Sequence, residues 1–447
     1  MAKDGFSITN FFGFAFKKKP KPEEKHQSFV PPTNDDGAVL VDTAGAYGTY
    51  VDTDVVVRNE FDLINRYREM AMYPEVDSAI DDVVNEAIVG NEDQAPVSII
   101  LDDLEDVSKS TKNVIRDEFN GVLKLLNFNN DCYEIFRKWY IDGRMHYHKI
   151  VAENTKEGIV ELRYIDPRQI RKIRKIRRNP IGTAPLPIST VEVEEEFYLF
   201  NPRGIQTSNV NVGEKISIDA ITYAHSGLLD KRNMMVLSHL HKAIKPFNQL
   251  RMMEDAMVIY RLSRAPERRI FYIDVGNLPK NKAEAYLRTI MQQYKNKLVY
   301  DASTGEVKDD RKHLSMMEDY WLPRREGSQG TSIDTLPGAQ NLSDMADVVY
   351  FQRKLYKALN VPVSRLESDS GFNLGRAAEI TRDELKFGKF VDRLRKRFTL
   401  IFDDLLKTQL ICKGICTAED WEDMREFIHY DFLSDSYFTE MKDAEIL

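Results

Sequence analysis

The sequence lacks the features on which secreted and membrane-spanning proteins depend. Only three of its 447 residues are cysteine, which excludes a disulfide scaffold and indicates a reducing compartment. No uninterrupted apolar run approaches the roughly 18–20 residues of a membrane-spanning helix, so we do not expect an integral membrane protein. Near the N-terminus an aromatic patch precedes the lysines. A secretory signal has the reverse order, and we therefore expect no export.

Nucleotide-binding and hydrolase motifs are also missing. The sequence has no G-x-x-x-x-G-K-[ST] phosphate loop, and its nearest fragment, Gly388-Lys389-Phe390, lacks the upstream glycine and the hydroxyl. It has no G-x-G-x-x-G dinucleotide motif and no G-x-S-x-G nucleophile elbow. The sequence therefore gives no positive sign of an enzyme.

Metal-binding patterns are weak. The histidines form two pairs, His146-x-His148 in an alternating stretch and His239-x-His241 in a helical stretch. Only the first pair can share a face, because residues i and i+2 lie together on a strand but not on a helix. Neither pair has further ligands at a recognisable spacing. Runs of adjacent carboxylates could hold the two metal ions of a nuclease, but a solvated acidic face is the simpler interpretation. We predict no metal and no cofactor.

The composition is that of a folded protein with an acidic balance. Hydrophobic residues make up 42% and charged residues 30%, close to the globular average. The chain carries 63 Lys+Arg against 71 Asp+Glu, a formal net charge of −8. This balance argues against a protein that holds nucleic acid by bulk charge. The length indicates two to four domains, or one elaborate domain.

The first half of the chain divides into a tail and a globular region. Residues 1–57 are predicted to be an arm that is disordered or bound to a partner, because residues 17–37 are rich in proline and charge and cannot bury a core. Helical and alternating patterns then follow one another over 58–233. They predict an α+β domain.

A basic run interrupts this domain at residues 168–179. Its members are Arg168, Arg171, Lys172, Arg174, Lys175, Arg177 and Arg178, interleaved with Ile170, Ile173 and Ile176. Such a run can bind phosphate groups. It can equally be a solvated face, or a face that contacts an acidic neighbour, with the isoleucines packed beneath. The sequence alone favours neither interpretation.

The middle of the chain has the pattern of a helical hairpin with a small domain at its tip. A helix over 234–264 carries an apolar stripe at spacings of three and four, and Pro246 is expected to bend or restart it. A second helix is predicted over 341–360. Between the two helices, residues 265–340 contain short strands and one helix. This order predicts two antiparallel rods that carry an α/β insertion.

A loop and a long helix follow the hairpin. Glycines and short polar residues mark the loop over 361–375. The last region, 376–447, begins with a long helical pattern. Its apolar stripe consists of Phe387, Val391, Leu394, Phe398, Ile401 and Leu405.

Residues 260–327 and 331–366 closely resemble the portal protein of contractile-tailed bacteriophages of the T-even-like group, and the likeness extends from about Arg58 onward. Such proteins form rings of usually twelve subunits at one vertex of the phage head. The resemblance implies an α+β portal fold with five parts: a wing (58–233 plus the long helix of 376–447), a stem (234–264 and 341–360), a clip (265–340), a tunnel loop (361–375) and a C-terminal crown. Relatives continue beyond this chain into the crown, so the crown is expected to be truncated.

The resemblance also implies the partners. A ring of this kind, expected to be a dodecamer by analogy, conducts double-stranded DNA into the head during packaging and out during ejection, without reading its sequence. It docks the terminase large subunit, which supplies the ATP-driven work, and afterwards the neck and tail completion proteins. Major capsid and scaffold proteins surround it, and assembly can involve the host inner membrane. The expected locations are the portal vertex of the virion and, during assembly, the host cytoplasm.

Three sets of site residues follow from this resemblance. Candidates for facing the DNA channel are Lys242, Lys245, Arg251, Arg261, Arg264, Arg268 and Arg269; pairing with acidic groups of the next subunit, such as Glu254 and Asp255, is an equal alternative. Candidates in the tunnel loop are Asp369, Ser370, Gly371, Phe372 and Asn373. Candidates for docking partners at the clip are Tyr300, Tyr320, Trp321 and Arg324, residue types that interfaces favour. We expect none of them to be catalytic.

Two other functions compete with a portal ring. One is a different head–tail neck connector, although neck adaptors are usually much smaller. The other is a metal-dependent nucleic-acid enzyme, which the carboxylate runs would serve.

Overall fold

A computed structural model of the chain shows a protein that divides into two compact units. The first unit combines residues 1–244 with 356–447, and the second unit spans Lys245–Leu355. The residues that the structure describes are 8–11, 14–17, 34–42, 51–90, 94–105, 107–181, 188–205, 213–231, 233–264, 268–276, 278–294, 298–300, 307–309, 320–324, 332–336, 345–365 and 374–433.

Helices form much of the described chain. They are α1 Val51–Met70, α2 Pro74–Ala87, α3 Lys109–Leu125, α4 Phe128–Asp142, α5 Ile244–Arg264, α6 Lys280–Tyr294, α7 Ala346–Leu359, α8 Leu374–Phe398, α9 Leu400–Cys412 and α10 Ala418–Met424. No helix among the described residues is long and apolar enough to cross a membrane.

The strands are short and belong to several small sheets. They are β1 Ile8–Phe11, β2 Phe14–Lys17, β3 Val39–Asp42, β4 Val97–Ile100, β5 Arg144–Val151, β6 Ile159–Ile165, β7 Ile170–Ile181, β8 Ile188–Phe200, β9 Glu214–Ile216, β10 Ile221–His225, β11 Arg268–Asp274, β12 Leu298–Tyr300, β13 Val307–Asp309, β14 Tyr320–Arg324, β15 Ser332–Leu336 and β16 His429–Phe432. The first unit contains the sheets β3-β7-β8-β9 and β10-β5-β6 and the pairs β1-β2 and β16-β4; the second contains β14-β11-β15 and β12-β13.

The core of the first unit is aromatic. Phe398 at the end of α8 contacts Phe136 at a ring-centroid distance of 5.0 Å, and Phe402 on α9 contacts Phe128 at 5.2 Å. All four rings are fully buried. Because α3, α4, α8 and α9 meet here, this core fixes the late helices against the N-terminal half of the chain. Truncating one such ring to alanine costs about 3–5 kcal/mol.

The apolar stripe predicted for the last region is buried throughout, but its helix is not continuous. All six predicted stripe residues are at most 2% exposed. The helix begins at Leu374, ends at Phe398 and restarts at Leu400. The predicted start at residue 376 was therefore two residues late, and the predicted single long helix is in fact two helices.

Part of the predicted N-terminal arm belongs to the fold. Strand β3 pairs in parallel with β7, with Val39 opposite Ile173, and Ala38 and Val39 are buried. The prediction of an arm over 1–57 that is disordered or bound to a partner is thus wrong for residues 34–42, which belong to this chain's own fold, and also for the start of α1 at Val51. The proline-rich segment 18–33 lies outside the described residues.

The first hairpin helix starts later than the pattern predicted. Residues 234–238 are not helical, a 3-10 helix spans His239–Ala243, and α5 begins at Ile244. Pro246 is the third residue of α5, where its missing N–H has no intrahelical partner to lose. The proline therefore marks the start of the helix, one of the two effects predicted for it. The second hairpin helix, α7, begins at Ala346.

Candidate channel and docking sites

Several residues of the basic run on β7 are neutralised within the chain. Strand β7 pairs antiparallel with the acidic strand β8. Lys175 binds Glu195 at 2.7 Å, and Lys172 binds Asp36 at 2.6 Å. Arg174 contacts Glu196 and is buried. Of the interpretations left open, contact with an acidic neighbour is the correct one for these residues, and a phosphate-binding surface is not supported there.

A buried ionic cluster stabilises the same region. Glu60 on α1 contacts both Arg144 on β5 and Arg171 on β7, and the three side chains are 11%, 7% and 9% exposed. Burial lowers the pKa of each arginine to about 10, still far above neutral pH, so both are charged. Beside them, burial and the charge of Arg144 lower the pKa of His146 to about 3. His146 therefore packs as a neutral ring against Tyr223, at a centroid distance of 4.7 Å.

The channel candidates on α5 do not share one face. Lys245 and Arg251 are exposed and Arg261 is half-buried. At about 100° per residue, Arg251 and Arg261 project within about 80° of each other, whereas Lys245 projects at least about 120° from both. A surface that contacts both Arg251 and Arg261 would therefore not contact Lys245.

An exposed apolar flank lies beside this basic flank. Met252 and Ile259 on α5 are 70% and 50% exposed, and they project about 80–100° from Arg251. On α7, Tyr350 is 61% exposed and Val349 37%. Within the second unit, Lys354 of α7 donates a hydrogen bond to Gln249 of α5 at 3.3 Å. The two rods are thus linked while several large apolar side chains remain uncovered.

The remaining basic candidates occupy three different settings. Lys242 is exposed on the 3-10 helix of the first unit. Arg264 is the last residue of α5. Arg268 and Arg269 lie at the start of β11, opposite Leu336 and Thr335 of β15. The structure brings these last two into the second unit's main sheet rather than onto the helix.

The docking candidates of the clip lie in the same unit. Tyr320, Trp321 and Arg324 belong to β14, which pairs in parallel with β11, so that Trp321 lies opposite Phe271. Tyr300 ends β12, opposite Val307. Three of the four candidates therefore share one strand, while Tyr300 belongs to a separate two-stranded sheet.

The five tunnel-loop candidates, Asp369 to Asn373, lie outside the described residues, but the segment before them is firmly attached. Arg365 binds Glu384 on α8 at 2.9 Å and Glu86 on α2 at 3.2 Å. Its guanidinium lies 4.5 Å from the ring centroid of Phe387. Arg365, the last described residue before the loop, is therefore fixed to α2 and α8 of the first unit.

The described residues contain no group of three or more side chains able to hold a metal ion. His239 stacks on Tyr140 at 5.2 Å, and His241 lies 2.8 Å from the hydroxyl of Tyr67. Burial, followed by the charge of Lys242, lowers the pKa of His239 to about 3. In the described part of the chain, these histidines pack as neutral rings.

Comparison with known proteins identifies the family. A profile described as "Bacteriophage T4-like portal protein (Gp20)" matches residues 60–447. The portal protein of Vibrio phage KVP40 is 44% identical over 440 residues, which cover 94% of this chain and 85% of that protein. The chain belongs to the T4-like portal protein family. The portal protein of Salmonella phage ViI is 37% identical over 428 residues, covering 92% of this portal chain and 76% of that protein.

Solved structures with a similar chain include a neck chain from a GTA particle and a phage portal protein. The first has a TM-score of 0.43 and 14% identity, covering 89% of this chain and 87% of that chain. The second, an HK97 family phage portal protein from Corynebacterium diphtheriae, has a TM-score of 0.30 and 9% identity, covering 70% and 83%. The family match confirms the resemblance drawn from the sequence, and the mixed helices and sheets confirm the predicted α+β class.

The sequence reasoning missed two features of this portal chain. One is the attachment of Arg365 before the loop, because its partners Glu86 and Glu384 lie far apart in sequence. The other is the exposed flank of α5 and α7, which was interpreted as part of a continuous core stripe. The predicted stripes are buried at Leu250 and Leu355 but exposed at Tyr260 and Val349, and the exposed Met252 was not among the predicted stripe residues. The signal in the sequence was the length of the two predicted hairpin helices, which is more helix surface than the small insertion between them could bury.

Proposed function

We propose that this portal chain assembles into a ring, most simply of twelve copies, that conducts double-stranded DNA through the phage head vertex. The observation that carries the proposal is the uncovered apolar flank of Met252, Ile259 and Tyr350 in a member of the portal family. Large exposed apolar patches mark interaction surfaces, and a neighbouring copy presents the complementary side of the same rods.

The dimensions of such a ring suit DNA. Helices about 10 Å across, standing twelve abreast, have a circumference of about 120 Å through their axes. The enclosed lumen is then about 28 Å wide, enough for a B-form duplex. The net charge of −8 also suits passage, because each tight phosphate contact would increase affinity and slow the DNA.

Assembly is tested by placing a charge on the flank. Met252→Asp on α5 should prevent or weaken ring formation, since a carboxylate would be buried against a neighbour. The matched control is Met72→Asp in the turn between α1 and α2, where the side chain is 84% exposed. Light scattering of both purified proteins measures their mass. Equal masses for both variants and the parent would contradict the proposed interface.

Within the ring, we assign Arg251 and Arg261 as the stem residues that face the lumen. They share one flank of α5, and Lys245 does not. Arg251→Gln/Arg261→Gln should change the rate of DNA packaging in a defined in vitro system, and Lys245→Gln should not. Equal effects would favour ion pairs with the neighbouring subunit instead.

The loop and the clip complete the proposed role. Deleting Asp369 to Asn373 should impair packaging or retention of DNA, and normal levels of both would contradict a role for the loop. Alanine at Tyr300, Tyr320, Trp321 and Arg324 should weaken binding of the terminase large subunit, and wild-type binding would contradict docking through these residues.

The protein would act as a structural component of the virion, first in the host cytoplasm and then at the portal vertex, where capsid, scaffold, neck and tail proteins contact it.

A further inference from the structure

A groove of about 1220 Å³ lies at the C-terminal end of α8 in the first unit. Its walls are the loop Ser226–Leu228, the 3-10 helix that carries Lys242, the last turns of α8, and strand β16. We call it the basic groove. It lies about 30 Å along α8 from Leu374, the first residue of that helix.

Four cations in the basic groove are uncommitted to any carboxylate among the described residues, although the guanidinium of Arg393 lies 5.9 Å from the ring centroid of Phe390. Lys242, Arg393, Lys396 and Arg397 are exposed, and none of them forms an ion pair with any carboxylate in the described part of the chain. Arg397 nevertheless has a defined place. A Cβ added to Gly227, whose φ is +76°, would lie 2.8 Å from the Nε atom of Arg397.

The other two arginines of the groove are already engaged. Arg395 donates to the carbonyl oxygens of Ala87 and Glu86, both at 2.9 Å, and thereby caps the C-terminus of α2. Arg425 lies 3.6 Å from Asp403. The surplus positive charge is therefore concentrated on the four uncommitted side chains.

We propose that the basic groove binds an acidic polypeptide segment of a partner protein. Charge complementarity identifies the partner's chemistry, since four unpaired cations line one concave surface. A peptide fits better than nucleic acid, because exposed carboxylates of Asp392, Glu426 and Asp431 share the lining and would repel a continuous phosphate backbone. A peptide can place neutral or basic residues against them. The proposal does not depend on ring formation or DNA passage.

Fluorescence anisotropy with the full-length protein tests this proposal. The probe is a labelled sixteen-residue peptide of Glu and Asp with interspersed Phe, and the comparison probe replaces each acid by its amide. The acidic peptide should bind more tightly than the amide peptide, and its affinity should fall as salt rises. Equal binding of both peptides would overturn the proposal.

Charge reversal locates the binding site. Arg393→Glu/Lys396→Glu/Arg397→Glu should weaken binding on the order of 20-fold or more, by removing three exposed ion pairs. The matched control, Lys109→Glu/Lys124→Glu/Lys156→Glu, makes the same change in net charge at exposed positions of the same unit. It should have a much smaller effect.

Two results would overturn the assignment. One is an equal loss in both triple variants, which would indicate attraction by net charge alone. The other is tighter binding of a 20-base-pair duplex than of the acidic peptide at equal ionic strength, with the same loss of binding in the groove variant. That result would make the ligand nucleic acid. If the reversed variant fails to fold by circular dichroism, Arg393→Gln/Lys396→Gln/Arg397→Gln replaces it, with a smaller loss expected.

Discussion

Removing the carboxylate of Glu60 should destabilise the first unit more than almost any other single change to a charged residue. Glu60 contacts both Arg144 and Arg171, and all three side chains are at most 11% exposed. Glu60→Ala leaves two guanidinium ions buried without their shared counter-charge. Breaking a buried ion pair from one side costs about 3–5 kcal/mol. The cost comes from desolvated charge, so it should persist in high salt.

Urea unfolding measures this cost. Trp139 and Trp421 are buried in the first unit, and in a Trp321→Phe background their fluorescence reports on that unit alone. With a slope of about 2–3 kcal/mol per molar urea, the midpoint should fall by about 1–2 M. Protomer concentration must be constant, because assembly would otherwise change the apparent stability.

An exposed ion pair provides the control for Glu60. Glu161 and Arg163 bind at 2.8 Å with side chains 50% and 65% exposed, so Glu161→Ala should leave the urea midpoint almost unchanged. Replacing Glu60, Arg144 and Arg171 together by methionine should recover much of the lost stability. A Glu60→Ala midpoint equal to that of the control would refute the reasoning.

Three further predictions concern the first unit. Gly143→Ala should destabilise this unit by more than about 1 kcal/mol, since φ is +70° and a Cβ would lie 2.6 Å from the backbone of Ser238. Gly121→Ala, where a Cβ on α3 would meet open space, should instead stabilise the unit by about 0.5–1 kcal/mol. The two variants should therefore shift the urea midpoint in opposite directions. The pKa of His146 is about 3 in the folded protein and about 6.5 in the unfolded chain, so its contribution to stability is complete above pH 6.5 and is lost as the pH falls toward 3. Between pH 6.5 and 4.5, His146→Phe should therefore reduce the pH slope of the unfolding free energy by up to about 1.4 kcal/mol per pH unit. An unchanged slope would contradict a neutral buried ring. Arg365→Ala should cost about 1–2 kcal/mol and increase proteolysis of the following loop, and unchanged proteolysis would show that the loop is held elsewhere.

Local patterns in the sequence predicted the parts of the fold that are determined by one element at a time. The stripe from Phe387 to Leu405 is buried as its period indicated, because a helix presents the same face every three to four residues. Helix ends were less accurate. The first hairpin helix was predicted to begin at residue 234, yet α5 begins at Ile244.

Features that depend on distant pairing could not be predicted from local patterns. Strand β3 belongs to the fold because Val39 meets Ile173, 134 positions away along the chain. The basic run on β7 carried two interpretations until β8 supplied Glu195 and Glu196 as partners. The charge of a strand does not reveal which strand lies beside it.

The candidate sites likewise combine features that local patterns predicted with features that depend on distant contacts. The order of helix, insertion and helix was visible from periodicity and corresponds to a separate compact unit over Lys245–Leu355. The spacing of Lys245, Arg251 and Arg261 at about 100° per residue shows which of them share a flank, but the helix start at Ile244, ten residues later than predicted, and the place of Lys242 on a separate 3-10 helix required the structure. The basic groove combines Lys242 with the end of α8, and no local signal connects the two.

Electron microscopy of the purified full-length protein tests the central claim most directly. We predict closed rings whose central opening is about 28 Å wide, the value obtained for twelve helices about 10 Å across. Isolated subunits at every concentration, or rings whose opening is too narrow for duplex DNA, would contradict it.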